Sequence, residues 1–209
     1  MILQIKDIPA AERQQWLQSA ISPRPIALAS TISKRGIVNL APFSFFNLFS
    51  AEPPILIFSP ALRVRDGSGK HTLQNVKEVK EVVINLVDED ILPQVNQCSA
   101  EYPEGIDEML TVGFTPIAST VVRPPRVMES KIQLECRVMQ IIPLGSRGGA
   151  GNLVICEIQV MHIHDSLIGS DGKIDQFKFK PVGRLGGNWY CALRENNMFQ
   201  LAKPLSLLQ

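Results

Sequence analysis

The densest set of anion-binding groups in the chain is the run Arg63-Val64-Arg65-Asp66-Gly67-Ser68-Gly69-Lys70-His71-Thr72. Three Arg/Lys cations, two glycines and two hydroxyl side chains stand directly before Leu73, Val76 and Val79, whose spacing predicts a helix. A helix start offers unpaired N–H groups and the positive end of the dipole, and glycine lets backbone approach a ligand closely. Phosphate is the chemistry such a segment suits. The residues also allow a second reading, a solvated basic loop with Thr72 as a plain N-cap. A Walker A loop does not fit: Val64 stands where its first Gly belongs, and His71 where Ser or Thr should follow Lys70.

A second run, Asn39-Leu40-Ala41-Pro42-Phe43-Ser44-Phe45-Phe46-Asn47, mixes aromatic bulk with small polar groups. A flat heterocycle needs an apolar slot edged by hydrogen-bond partners. Three neighbouring Phe are more often plain core. Ser44 and Asn47 are the part that core packing alone leaves unexplained.

Other signals are negative. His162 and His164 share one strand face, but no neighbouring carboxylate completes a metal site, and the histidines, His71 included, read as structural. No metal site is expected. Cys98, Cys136, Cys156 and Cys191 form no CxxC pair and read as small buried hydrophobes, without a disulfide framework or zinc site. There is no GxSxG, no HExxH and no GxGxxG, so no residue is assigned a catalytic role.

The elements that must position these runs are mostly short strands. Strands are predicted over Pro25 to Thr31 and Ile37 to Leu40, with turn chemistry at Ser33 to Gly36, then over Ile55 to Ser59 after Pro53-Pro54. A further strand covers Val82 to Val87. Helices are predicted over Ile8 to Ala20 (amphipathic), over Thr72 to Lys80, and after Asp88, which would cap a helix carrying Pro93 in its first turns. Lys131 to Val138 and Val154 to Val160 alternate apolar with polar, which marks antiparallel strands with one wet face. Gly145 to Gly151 joins them as a flexible loop. Without a repeating βα unit, an antiparallel barrel fits better than a doubly wound sheet.

The 209 residues, 45% hydrophobic and 20% charged, are ordinary globular composition for one domain over 1–209. With 21 basic and 20 acidic residues the net charge is +1, so no global field draws the chain to nucleic acid or membrane. Neither a signal peptide nor a membrane span is read from the sequence, and the expected location is cytoplasmic.

Taken in order, these segments resemble the flavin reductase-like, FMN-binding split-barrel family, which includes flavin reductases and flavoredoxin. The carrying residues are Ser22-Pro23-Arg24-Pro25-Ile26-Ala27-Leu28-Ala29-Ser30-Thr31, the Asn39 to Asn47 run, Pro53-Pro54 and Lys70-His71-Thr72-Leu73-Gln74-Asn75. Asn85-Leu86-Val87, Leu134-Glu135-Cys136 and Pro181-Val182-Gly183-Arg184-Leu185-Gly186-Gly187, followed by Tyr190, continue them. Each piece is weak alone; their colinearity from Ser22 to Tyr190 is specific.

The resemblance implies a mainly β, antiparallel Greek-key split barrel with a few short helices. It implies FMN held at a homodimer interface by Ser30, Thr31, Asn39, Ala41, Pro42, Ser44 and Phe45, with Phe43 and Asn47 in the same run. The phosphate would lie near Arg63, Arg65, Lys70 and Thr72, and Arg184 near the ring. The implied activity is NAD(P)H-dependent flavin reduction; the alternative is a flavoredoxin-like FMN electron carrier served by a redox partner protein. The family usually reads Lys-Asp-Thr where this chain has Lys70-His71-Thr72, which should remove one negative charge beside the phosphate.

Overall fold

The computed structural model describes residues 1–103 and 105–204. Twelve strands and four α-helices are assigned among them. Helix α1 (Ala10–Ala20) comes first, then β1 (Arg24–Pro25), β2 (Ala27–Ile32), β3 (Val38–Phe43), β4 (Phe46–Ala51) and β5 (Pro54–Phe58). Next come α2 (His71–Val79), β6 (Glu81–Leu86), α3 (Leu92–Gln97), α4 (Glu108–Thr111), β7 (Pro116–Ile117) and β8 (Arg126–Val127). The long pair β9 (Ile132–Pro143) and β10 (Asn152–Ile163) follows, then β11 (Val182–Arg184) and β12 (Tyr190–Ala192).

Seven strands form one antiparallel sheet in the order β3-β2-β6-β9-β10-β5-β4. The chain lays down β2 and β3 at one end and β4 and β5 at the other. It then fills the gap with β6, β9 and β10. The fold is the mainly β, split-barrel type expected. A separate three-stranded sheet, β1-β11-β12, brings the Arg184 segment back beside Arg24, with which Arg184 is in register.

Burial explains why β2 reads as small and apolar. Ala27 and Ala29 face one core with Phe43, Phe58 and Ile84, while Ile26 and Leu28 face a second with Leu40, Val95 and Met109. A strand packed on both faces shows no polar alternation. The hairpin after it closes as expected, Ser33 N–H donating to Ile37 O (2.9 Å) and Gly36 taking φ +85°.

Several expectations need correction. The first helix exists, but it has no buried residue and no apolar face, so it is not amphipathic. β4 was not anticipated, because Leu48 and Phe49 leave its outer side apolar and exposed instead of alternating. The polar face of β9 is not wet at its start: Gln133 and Glu135 are buried. Glu135 is satisfied there by the Thr120 and Val121 amides (2.7 Å each) and by His162 Nε2 (2.7 Å). Burial alone would raise its pKa, but those partners outweigh it and the pKa is lowered. His162 therefore has the carboxylate neighbour that its sequence surroundings lack. Nor is the 145–151 loop free: Ala150 O accepts from Leu62 N (2.9 Å), and Gly149 N donates to Leu62 O (3.0 Å). A Cβ on Gly148 would lie 2.6 Å from Val64 O, so that position requires glycine. All four cysteines are free thiols.

Candidate functional site

The end of β3, the loop before α2, helix α3 and the β11–β12 turn enclose a cavity of about 860 Å³. Pro42, Phe43 and Ser44 form one wall, and Leu92, Pro93 and Val95 another. Arg24, Lys70 and Arg184 also reach it, and no carboxylate does. Apolar walls with a few cations at the edge suit a flat ring that carries or acquires negative charge. Arg184 lies with its guanidinium carbon 4.3 Å from the Tyr190 ring centroid and donates to Gly187 O (2.6 Å).

Arg24 is the anchor of this wall. It is 7% exposed, and its guanidinium donates to the carbonyls of Gln18, Ile21 and Leu185 and to Ser44 Oγ. One side chain thus ties the end of α1, the β3–β4 turn and the glycine-rich C-terminal segment together. Burial, and then Arg184, lower its pKa. Arg24 stands within the Ser22 to Thr31 motif, yet the sequence alone assigns it no site role. Its signal, a cation fixed between two prolines, is visible only with hindsight of what packs on it.

A smaller cavity of about 140 Å³ adjoins the first, sharing Pro42, Lys70 and Ser99 with it. Asn39, Ala41, Arg63, Thr72 and Glu108 complete its character. The loop is preshaped: Gly67 N donates to Arg63 O (2.8 Å) with φ +70°, and Ser68 N donates to Asp66 Oδ1 (2.8 Å). Lys70, not Thr72, occupies the N-cap position of α2, and it makes no side-chain cap bond. Thr72 is buried, with Oγ1 2.9 Å from the Asn39 amide. Turned to satisfy both its ends, that amide donates to Glu108 Oε1 (3.1 Å) and accepts from Thr72 Oγ1.

The cations here are unequally occupied. Glu101 pairs with Arg63 (3.4 Å) and with Arg65 (2.8 Å). Arg63 Nε is nevertheless buried without a hydrogen-bond partner. Lys70 makes no ion pair among the described residues; its Nζ lies 5.6 Å from the Phe43 ring centroid. Desolvation, and then Arg63, lower its pKa. Glu108 is held by Leu40 N (3.1 Å), and burial, helped by Asp107, pushes its pKa up to about 7. A Lys without an ion-pair partner among the described residues, beside an Arg63 Nε that is ion-paired to Glu101 yet makes no hydrogen bond, forms a donor set that fits a phosphomonoester joined to a ring.

The model of the flavin reductase like domain matches residues 19–177. The chain belongs to the flavin reductase like family. An uncharacterized protein of Halalkalibacterium halodurans is 40% identical over 195 residues, covering 92% of this chain and 91% of its own. The crystal structure of nitrilotriacetate monooxygenase component B from Bacillus cereus is similar at 31% identity and TM-score 0.89, covering 96% of this chain and 98% of that one. A Shewanella frigidimarina structure described as having a split barrel domain shares the fold at 24% identity and TM-score 0.79, covering 95% and 96%.

Within this flavin reductase like chain, the structure gathers part of the expected set. Pro42, Phe43, Ser44, Lys70 and Arg184 line the larger cavity; Asn39, Ala41, Arg63 and Thr72 line the smaller. Ser30, Thr31, Phe45, Asn47 and Arg65 line neither. Ser30 and Thr31 are fully buried in β2; Thr31 Oγ1 accepts from Asn75 (3.1 Å), and Ser30 Oγ has no partner. Phe45 and Asn47 are exposed on the far side of the β3–β4 turn, and the Asn47 side chain bonds to Leu48 N. Sequence reasoning missed Glu101 and Glu108, which come from segments distant in the chain. The acid absent at position 71 has a spatial counterpart, because Glu108 Oε1 lies 3.9 Å from His71 Nδ1.

Proposed function

We propose that this chain is an FMN-dependent oxidoreductase of the flavin reductase type, a cytoplasmic homodimer that accepts electrons from NADH or NADPH. The observation that carries the reading is the pair of joined cavities, one with apolar walls, a polar and cationic rim and no carboxylate, the other edged by Lys70, Arg63 and Thr72 together with Glu101 and Glu108. Lys70, Arg63 and Thr72 would hold the phosphate, with Arg65 close by. Ala41 to Ser44 and Arg184 would edge the ring. When bound, the flavin supplies reversible hydride and electron acceptance, which no side chain here can provide.

What the residues contribute is position and field. Pro42, Phe43 and Leu92 exclude water, while Arg24 and Arg184 favour negative charge developing beside them. No general acid or base is required of the protein. The size of the phosphate end supports FMN over FAD, since an adenylate would have to leave past it. Leu48 and Phe49, 60% and 64% exposed on edge strand β4, support self-association.

Anaerobic stopped-flow mixing of the FMN-loaded protein with NADH and with NADPH tests the reading. Rapid bleaching of the flavin band is expected with at least one donor. No bleaching, together with reduction by a partner protein, would replace it with the electron-carrier reading. Sedimentation of the loaded protein as a monomer, or equal affinity for FMN and FAD, would remove the proposed site architecture.

A further inference from the structure

A third cavity, of about 610 Å³, lies beside α1 and adjoins the larger of the two described above. Gln14 lines both, and the β3–β4 turn divides them, with Ser44 on one side and Phe45 on the other. Its charged lining residues are Arg13 and Arg147, again with no carboxylate. Arg13 donates through Nη2 to Ile8 O (2.8 Å), while its Nε is buried without a partner. Arg147 is exposed and makes no side-chain hydrogen bond or ion pair among the described residues. It is not on a loose tether, because its loop is bonded to Leu62 and packed on Val64. Phe45, 43% exposed, offers an aromatic face at the boundary.

We infer that this cavity takes the phosphate-bearing adenosine half of a pyridine dinucleotide, through Arg13 and Arg147. The nicotinamide half would then extend past Gln14 and Phe45 into the larger cavity. This rests on the reading above that a nicotinamide donor is used. Two guanidiniums without acidic competitors suit phosphate oxygens, and a flat exposed ring suits a base. The chain has no GxGxxG turn to hold a pyrophosphate on a helix start, so side chains must do it. A donor bound by its ring alone would give no use to a cationic cavity one turn away.

The test is calorimetric titration of FMN-loaded protein with NAD⁺ and NADP⁺, comparing wild type with Arg147→Ala and Arg13→Gln. Each substitution should weaken the favoured dinucleotide by about tenfold or more and leave FMN affinity unchanged. Arg147→Ala removes no side-chain hydrogen bond or ion pair among the described residues, so it guards against the loss of fold that Arg13→Gln can cause by breaking the bond to Ile8. Flavin reduction by 1-methyl-1,4-dihydronicotinamide, which lacks the phosphates, should proceed equally in all three proteins. Absence of dinucleotide binding to wild type, or unchanged binding by Arg147→Ala, overturns the site. Arginine-dependent binding without flavin bleaching would keep the site and sink the reductase reading. Bleaching with unchanged binding by the variants would do the reverse.

Discussion

Removing the Lys70 ammonium should weaken FMN binding far more than riboflavin binding. Lys70 lines both joined cavities, with its Nζ 5.6 Å from the Phe43 ring centroid and no ion pair among the described residues. Its lowered pKa reports a cation that is desolvated and repelled by Arg63, only partly compensated by Glu101 and Glu108. Such a charge gains when an anion arrives. At about 4 Å and an effective dielectric near 20, one charge pair is worth about 4 kcal/mol before costs. Desolvation of the phosphate and ordering of the side chain reduce this to about 1.5–3 kcal/mol, the range for hydrogen bonds to charged groups. Lys70→Ala should therefore raise the FMN Kd by roughly ten- to a hundredfold.

Riboflavin carries the same ring and no phosphate, so its Kd should change by less than about twofold. Fluorescence quenching titrations of both flavins, at low and at physiological salt, measure this directly. The wild-type FMN affinity should fall with salt, and the variant's should fall less steeply. Equal weakening of both flavins would mean that Lys70 supports the fold of the slot instead of touching phosphate. Unchanged FMN affinity would place the phosphate elsewhere. Either result refutes the assignment.

Glu101→Gln should tighten FMN by up to about fivefold and leave riboflavin alone, because it frees Arg63 and Arg65 from an exposed pair of modest strength; the same titrations check it. Arg24→Ala should lower stability by about 2–4 kcal/mol, read as a fall in urea midpoint, since three carbonyls lose a buried donor. Arg24→Lys should not rescue it, because an ammonium cannot span the fork. Glu108, raised from its ordinary value to about 7 by burial, binds its proton more tightly folded than unfolded. Its contribution to stability is therefore fully present below the unfolded pKa and lost as pH rises through about 7. Glu108→Gln should flatten that decline, seen as a smaller drop in Tm between pH 5 and 8.

The sheet was legible where one physical rule dominated. The helical spacing of Leu73, Val76 and Val79 and the alternation in β9 and β10 mark those elements, because an apolar core face leaves a periodic trace even where, as at Gln133 and Glu135, the polar face is buried too. β4 left no such trace: Leu48 and Phe49 are apolar yet exposed, so its apolar residues do not mark the core face. In the site, local runs were legible and spatial partners were not. Phe43, Ser44 and Lys70 come from segments rich in ring-facing or anion-binding chemistry. Glu101 and Glu108 follow α3 in stretches with no local sign of purpose, and only the fold carries them to Arg63 and Asn39. Thr72 illustrates the same limit, since a hydroxyl before a helix reads as a cap, whereas its bond runs across to Asn39 in β3.

The substitution of His71 for the usual acid shows why a motif departure must be weighed in space. Read along the chain, the change deletes a negative charge beside the phosphate loop. In the fold, α4 delivers Glu108 to the same cavity, 3.9 Å from His71 and within reach of Leu40 N and the Asn39 amide. A carboxylate thus stands beside position 71 all the same, buried and supplied by α4. Burial holds its pKa near 7, so around neutral pH it is only partly charged, unlike an exposed Asp. Lys70 consequently faces less permanent negative charge than the family pattern would place there. That leaves its ammonium without an ion pair among the described residues, beside an Arg63 Nε that Glu101 neutralises at 3.4 Å without hydrogen-bonding it, and an anion in the smaller cavity would satisfy both.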